Sequence, residues 1–186
     1  MSKEKLKIGI LGCGRVCEHY IEKILIPERV GTLYDIVACC DVDENKSNYV
    51  GSVFSCKSYI SIEDFVKHKD MEVVVILTKS GQHYQHAKIC LSNDLNVIVE
   101  KPLCLRIEHA EELISISSKK RKFCASIFQN RLNPAVQITK DAFDKERFGD
   151  LVSVSVRLRW CRLQNYYEDG WHGTWAQDGG VTNQQA

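Results

Sequence analysis

The apolar runs of this chain stop at five or six residues, which excludes a helical membrane span, because crossing the hydrocarbon core takes about 20. An excess of either charge is also missing. Lys and Arg number 25, Asp and Glu 24, and the formal net charge is +1, so nothing draws the chain to nucleic acid or to an anionic membrane surface. No C-x-x-C pair occurs among the nine cysteines, at positions 13, 17, 39, 40, 56, 90, 104, 124 and 161. Their odd count and their places in apolar segments fit reduced thiols that pack as small hydrophobes. Cys13 and Cys17 stand four apart at a helix start without further partners at ligand spacing, so no metal site is expected. Met1 to Lys7 has neither the apolar stretch nor the cleavage site of a secretion signal, and a cytoplasmic protein is expected. There is no internal repeat and no low-complexity tract.

Strand and helix patterns alternate through the first two thirds of the chain. Buried strands are expected at Leu6–Leu11, Tyr34–Asp41, Val73–Leu77, Asn96–Val99 and Phe123–Phe128. Helical spacing follows in Val16, Tyr20, Ile21, Ile24 and Leu25 (ending near Pro27), in Asp43 to Val50, after Ser61 through Phe65 and Val66, from Ser80 through Leu91, and from Arg106 to Lys119. Ser61-Ile62-Glu63-Asp64 has the form of a capping box. Continuous apolar strands between helices argue an α/β fold, a doubly wound parallel sheet of Rossmann type buried on both faces. Beyond Phe128 the pattern changes to a helix from Pro134 to Lys145, then a period-two strand through Val152, Val154, Val156 and Leu158, then a loop rich in Gly, Tyr and Trp. The expected division is a dinucleotide-binding domain over 1–128 and the start of an α+β substrate domain over 129–186.

Ligands of such sheets bind beyond the carboxyl ends of the strands. The turn Gly12-Cys13-Gly14-Arg15-Val16-Cys17 follows the first strand and opens a helix, with Cys17 in the third small position. That context suits the approach of backbone N–H groups to a pyrophosphate. Asp41 ends the second strand, where a carboxylate accepts from both ribose hydroxyls and repels a 2′-phosphate; this favours NAD over NADP. Asp43 is left to cap the next helix. Thr78, Ser80, His83, Glu100 and Gln129 lie at or just past other strand ends. Lys101, in Glu100-Lys101-Pro102, offers an ammonium that donates to a substrate oxygen and stabilises charge as hydride moves; spacing alone also allows a solvated surface lysine. His83 and His86 share one helix face without a third ligand. Trp171, Trp175, Tyr166 and Tyr167, with Arg159 and Arg162, form either a loop pinned by its own aromatic packing or a surface that holds a base or sugar and grips phosphate.

Taken together, Gly12-Cys13-Gly14-Arg15-Val16, Cys40-Asp41, Ser80-Gly81-Gln82-His83 and Val97-Ile98-Val99-Glu100-Lys101-Pro102-Leu103 resemble the Gfo/Idh/MocA oxidoreductases. The resemblance implies a Rossmann domain, NAD(P), a sugar or cyclitol oxidised at a secondary alcohol, and a catalytic role for Lys101. A narrower likeness, in Phe128 to Val136 and in Gly173 to Gly180 with Asn183-Gln184, is to bacterial dehydrogenases of UDP-N-acetylglucosaminuronic acid. Those enzymes oxidise the C3 hydroxyl with NAD in surface-polysaccharide precursor synthesis. By that likeness Gln129, Asn130, Arg131, Asn183 and Gln184 face substrate, with Trp175 among the substrate contacts. The family continues past the segment matching Asn183-Gln184 into a helix with an Asp and a His beside the nicotinamide, and its members commonly associate through the sheet of the second domain. Two alternatives stand beside this reading: a non-catalytic NAD-binding remnant or regulator, and a dehydrogenase of inositol or free sugars.

Overall fold

The computed structural model describes residues 5–25 and 33–185, without the side chains of Ile24, Gln184 and Gln185; Pro27 and the expected helix end beside it lie outside these residues. Six parallel strands form one sheet: β1 (Leu6–Leu11), β2 (Tyr34–Cys40), β3 (Lys57–Tyr59), β4 (Val73–Ile76), β5 (Asn96–Val99) and β6 (Cys124–Ser126). Their order is β3-β2-β1-β4-β5-β6, so the winding reverses between β1 and β4, where a doubly wound sheet opens its ligand crevice. β1 sits at that reversal, with Leu11 level with Cys40 on one side and Ile76 on the other. β3 escaped the sequence reading because it has three residues, none of them buried, too few for a periodic signal.

The helices are α1 (Arg15–Tyr20), which continues as a π-turn over Ile21–Leu25, α2 (Glu44–Phe54), α3 (Ile62–Phe65), α4 (His83–Ser92) and α5 (Ile107–Lys120). Local chemistry sets their starts. Asp43 caps α2 by accepting from the backbone N–H groups of Asn45 and Lys46, and Ser61 caps α3 by accepting from Asp64 N–H. α2 runs past the expected Val50 and ends where Ser55 turns left-handed, at φ 51°.

Alternating strand residues feed two cores. Ile8, Ile10, Val73 and Val75 join Cys17, Ile21, Leu25 and Val50 on one face. Leu11, Val74, Ile76, Val97 and Val99 join Phe65, Ala87, Leu91 and Leu113 on the other. Burial on both faces is why the strands read as unbroken apolar runs. α1 turns Cys17 inward and leaves Val16 42% exposed, and Ile114 of α5 is 61% exposed, so both helices bury a narrower stripe than their apolar spacing suggests.

The chain forms two compact units, Met1–Ile127 with Gly173–Ala186, and Phe128–His172. Gly173–Ala186, assigned from sequence to the second domain, groups with the first unit, where Gly81 N–H donates to the Gln177 carbonyl at 2.9 Å; it ends in α7 (Val181–Gln185). The second unit carries α6 (Pro134–Asp144), capped by Asn133 accepting from Ala135 N–H, and 3-10 turns over Gln129–Leu132 and Gln164–Tyr167. The strand expected from Val152 to Leu158 is not formed: residues 151–163 have no regular element. A strand exists only by pairing, and none of the described residues pairs with this segment, whose Val152, Val154 and Val156 are 94%, 71% and 85% exposed.

Gly9 shows how tightly the second of these cores is closed. A Cβ there would lie 2.2 Å from Met71 Sδ and 2.7 Å from Phe65 Cζ. The thioether can swing aside, but the ring of Phe65 is fully buried. Gly9→Ala is therefore expected to destabilise the fold by about 1–3 kcal/mol through overpacking, read as a lower urea midpoint at unchanged slope.

Candidate cofactor and catalytic site

The glycine turn is set by one close approach. Gly12 has φ +98°, and a Cβ on it would stand 2.8 Å from both Leu77 C and Thr78 N. Only glycine lets the end of β1 lie against the end of β4 in that conformation. Gly12 N–H donates to Cys40 O, and Leu77 N–H to Leu11 O, each at 2.8 Å, so the ends of three strands are joined at this point. Around Gly14 a Cβ would meet nothing within 4 Å. The turn thus has open space before its second glycine, the shape a pyrophosphate needs for close backbone approach. Arg15 and Val16 stand exposed beyond it, while Cys17 is fully buried in the third small position.

Asp41 is pinned rather than free. Its Oδ2 accepts from Cys13 N–H at 2.7 Å and its Oδ1 from Asp43 N–H at 2.9 Å. Each carboxylate oxygen keeps a further lone pair, so the residue holds the glycine turn and still presents acceptors for a ribose diol. Asp43, as read from sequence, does the helix capping. These residues fit a dinucleotide in chemistry and in shape.

Glu100 and Lys101 extend the ladder beyond β5, where Glu100 N–H donates to Ile76 O at 2.9 Å. The Glu100 carboxylate accepts from Lys101 N–H at 2.5 Å through Oε2 and from the Tyr20 hydroxyl at 3.2 Å through Oε1. Burial, reinforced by the negative charge of Glu100, raises the Tyr20 phenol above its ordinary range, so it remains a protonated donor. Lys101 is half-buried and Pro102 buried. Tyr20 was read from sequence only as an apolar face; no local pattern signals a bond 80 residues away.

His83 is 1% exposed. Its Nδ1 lies 2.7 Å from Pro102 O and its Nε2 2.9 Å from Thr78 O. His86, one turn on, lies half-buried with Nδ1 2.9 Å from Thr78 Oγ1. The H-x-x-H spacing therefore serves two loops rather than a metal, and no group of three or more His, Cys, Asp or Glu among the described residues can hold one.

Of the remaining candidates, Ser80, Trp175 and Asn183 line one pocket of the first unit. Ser80 is buried at 3% exposure and Trp175 is 84% exposed. Asn183 donates its side-chain amide to Gly179 O, and the side chain of Gln184 lies outside the described residues. In the second unit Gln129, Asn130 and Arg131 are exposed on one 3-10 turn, with the Arg131 guanidinium 5.7 Å from the Phe128 ring centre. In the aromatic loop of that unit His172 packs between Trp171 and Tyr166, at 3.7 and 4.0 Å between ring centres, and Asp169 bonds its Nδ1 at 2.5 Å. Of its two readings, self-packing accounts for these contacts.

Burial, and then the neighbouring His83, depress the His86 imidazole from 6.5 to about 4. Between those values the unfolded chain binds more protons than the folded one, so stability rises with pH across the window. The contribution is complete above pH 6.5 and lost as pH falls toward 4, at about 1–3 kcal/mol for a group this buried. His86→Gln should flatten that acid limb, seen as a smaller drop in urea midpoint from pH 7 to pH 4.5 than in the parent.

Residues 6–128 match the family description GFO_IDH_MocA, an oxidoreductase family with an NAD-binding Rossmann fold. The WlbA dehydrogenase of Chromobacterium violaceum, solved with NADH and UDP-GlcNAcA, superposes with a TM-score of 0.93 at 29% identity, covering 100% of this chain and 53% of that one. The WlbA dehydrogenase of Bordetella pertussis, solved with the same two ligands, gives 0.92 at 27% identity, again over 100% and 53%. A curated relative, trans-1,2-dihydrobenzene-1,2-diol dehydrogenase of Xenopus tropicalis, is 24% identical over 145 residues, 78% of this chain and 44% of that protein. The chain spans about half the length of the relatives it matches. With the glycine turn, the strand order and the Glu100-Lys101-Pro102 segment where that family description has its Rossmann fold, the chain belongs to the Gfo/Idh/MocA family of NAD-binding oxidoreductases.

Proposed function

We propose that this chain is the cofactor-binding portion of a cytosolic NAD-dependent dehydrogenase that oxidises the C3 hydroxyl of a UDP-N-acetylhexosaminuronic acid in surface-polysaccharide precursor synthesis. The observation that carries the sugar nucleotide is the extent of the likeness. The two WlbA structures align with 100% of the chain, including the segment past 128, at TM-scores of 0.93 and 0.92. The complete protein is proposed to associate with copies of itself through the sheet of its second domain.

Bound NAD supplies the hydride acceptor. The chain's own residues supply the rest. The turn from Gly12 to Val16 offers backbone N–H groups to the pyrophosphate. Asp41 accepts from the adenosine ribose, and its fixed negative charge disfavours a 2′-phosphate. Glu100, held by Tyr20, fixes the backbone of Lys101, whose Nζ donates to the substrate hydroxyl and stabilises the oxygen as its proton leaves. The base that takes this proton is proposed to come from the helix that the family places after the segment matching Asn183-Gln184. Gln129, Asn130, Arg131, Trp175, Asn183 and Gln184 are proposed substrate contacts, and Thr78, Ser80 and Gln129 cofactor contacts.

Lys101→Met in the complete protein should lower kcat on UDP-GlcNAcA by about 10²–10³-fold, the cost of losing one charge-stabilising donor, while the Kd for NADH stays within about threefold. Turnover at the parent rate would sink the assignment. Asp41→Ala should raise the Kd for NADH by about tenfold, the loss of one charge-assisted pair, and narrow the preference over NADPH; an unchanged ratio would remove Asp41 from cofactor choice.

A further inference from the structure

α4 carries two histidines one turn apart, and both face loops rather than solvent. The first, His83, bridges the carbonyl of Thr78, just past β4, and the carbonyl of Pro102, just past Lys101, at 2.9 and 2.7 Å. Both partners are carbonyl oxygens, which only accept. A ring with both protons donates to each; a ring with one proton donates to one. His86 adds the contact to Thr78 Oγ1 at 2.9 Å, so the Thr78 loop is gripped at its carbonyl and at its hydroxyl. The far side of the Lys101 segment is held by Glu100, through the Lys101 N–H and the Tyr20 hydroxyl. The Lys101 N–H and the Pro102 carbonyl, on either side of the lysine, are thus tied to different elements, α1 through Tyr20 and α4 through His83.

We propose that His83 is a positioning residue for Lys101: its imidazole, wedged between the Pro102 and Thr78 carbonyls and donating to at least one of them, fixes the height and direction of the lysine above the strand ends. His83 does not itself touch cofactor or substrate, because its ring is 1% exposed and both nitrogens are engaged. Its sequence position beside the strand-end loop suggested a cofactor contact; the geometry points to action through the lysine. His86 acts one step further out by anchoring the Thr78 loop against which His83 braces. A leucine at 83 fills similar space but offers no donor, so the Pro102 carbonyl loses its tether. A glutamine restores one donor and one tether.

This inference rests on Lys101 being the working amine of the proposed dehydrogenase, and the test separates the two claims. In the complete protein, His83→Leu and His83→Gln are compared with the parent in three measurements: steady-state kinetics with NAD and UDP-GlcNAcA, NADH affinity by fluorescence, and the acetylation rate of Lys101 by an N-hydroxysuccinimide ester without substrate, read by peptide mass spectrometry against the exposed Lys119. The expected result for His83→Leu is a kcat about 10–100-fold lower, as for an ångström-scale misplacement of a reacting group, with KM and NADH Kd within about threefold. Lys101 acetylation should change by at least about threefold at a constant Lys119 rate, and His83→Gln should recover about half of the loss on a logarithmic scale. A parent-like kcat and Lys101 acetylation rate in His83→Leu would overturn the proposal. So would a loss of kcat matched by an equal loss of NADH affinity, which marks a cofactor contact instead. Should His83→Leu not fold, His83→Gln decides by the same criteria. A parent that does not oxidise UDP-GlcNAcA defeats the substrate reading alone, and the acetylation rates then decide the role of His83.

Discussion

The rest of the structure depends on the approach of Gly12 to the peptide joining Leu77 and Thr78. The atoms a side chain would strike there are backbone, at 2.8 Å, so no repacking relieves the clash and the glycine is obligatory. The contact falls between β1 and β4, where the sheet reverses its winding. It draws the end of β1 toward the loop that carries Thr78 and leaves the second glycine of the turn facing open space. A crevice for a dinucleotide follows from these two facts, without any contribution from charge.

Loops beyond strand ends have no ladder to satisfy their N–H and C=O groups, and buried ones must find partners elsewhere. Here side chains supply them across loops. Asp41 accepts from Cys13, Glu100 from Lys101, and His83 meets the carbonyls of Thr78 and Pro102. The Asp41 and His83 contacts each serve a backbone group of one loop from a residue rooted in another, while Glu100 serves its own neighbour and is held from α1 by Tyr20, so the glycine turn, the Thr78 loop and the Lys101 segment are fixed with respect to one another before any ligand arrives. Fixed dipoles need no rearrangement when charge develops, which is the condition under which a lysine at a strand end becomes useful chemically.

The alternation of apolar runs and helical spacing carried the sheet, because burial on both faces leaves an unmistakable composition in strands such as Val73–Ile76. Caps were legible for the same reason that they work: Ser61 and Asp43 act on N–H groups two or three residues away, within the window that a sequence displays. The cross-loop bonds were not legible. Tyr20 reaches Glu100 and His83 reaches Pro102 over distances in sequence that carry no period. The H-x-x-H spacing was visible, but its partners, two backbone carbonyls, have no residue identity to read. The missing strand at Val152–Leu158 is the converse case: alternation records which face wants cover, not what covers it, and without a paired neighbour the pattern specifies no ladder.

The cysteines follow from the same packing. Neighbours in β2, Cys39 and Cys40, enter opposite cores, Cys17 occupies the small position where α1 meets the sheet, and Cys13 is 2% exposed inside the turn. Metal binding and thiol exchange both require the thiolate. Burial opposes it, pushing Cys40 and Cys90 up to about 12, with the Asp41 charge adding to the effect at Cys40. At such places a thiol is a group slightly larger than a methyl with a weak donor, and the donor is used: Cys13 Sγ donates to Cys40 O at 3.6 Å. Size, rather than reactivity, accounts for cysteine at the third small position of the turn, where helix and strand must touch but need not be as close as Gly12 and Thr78.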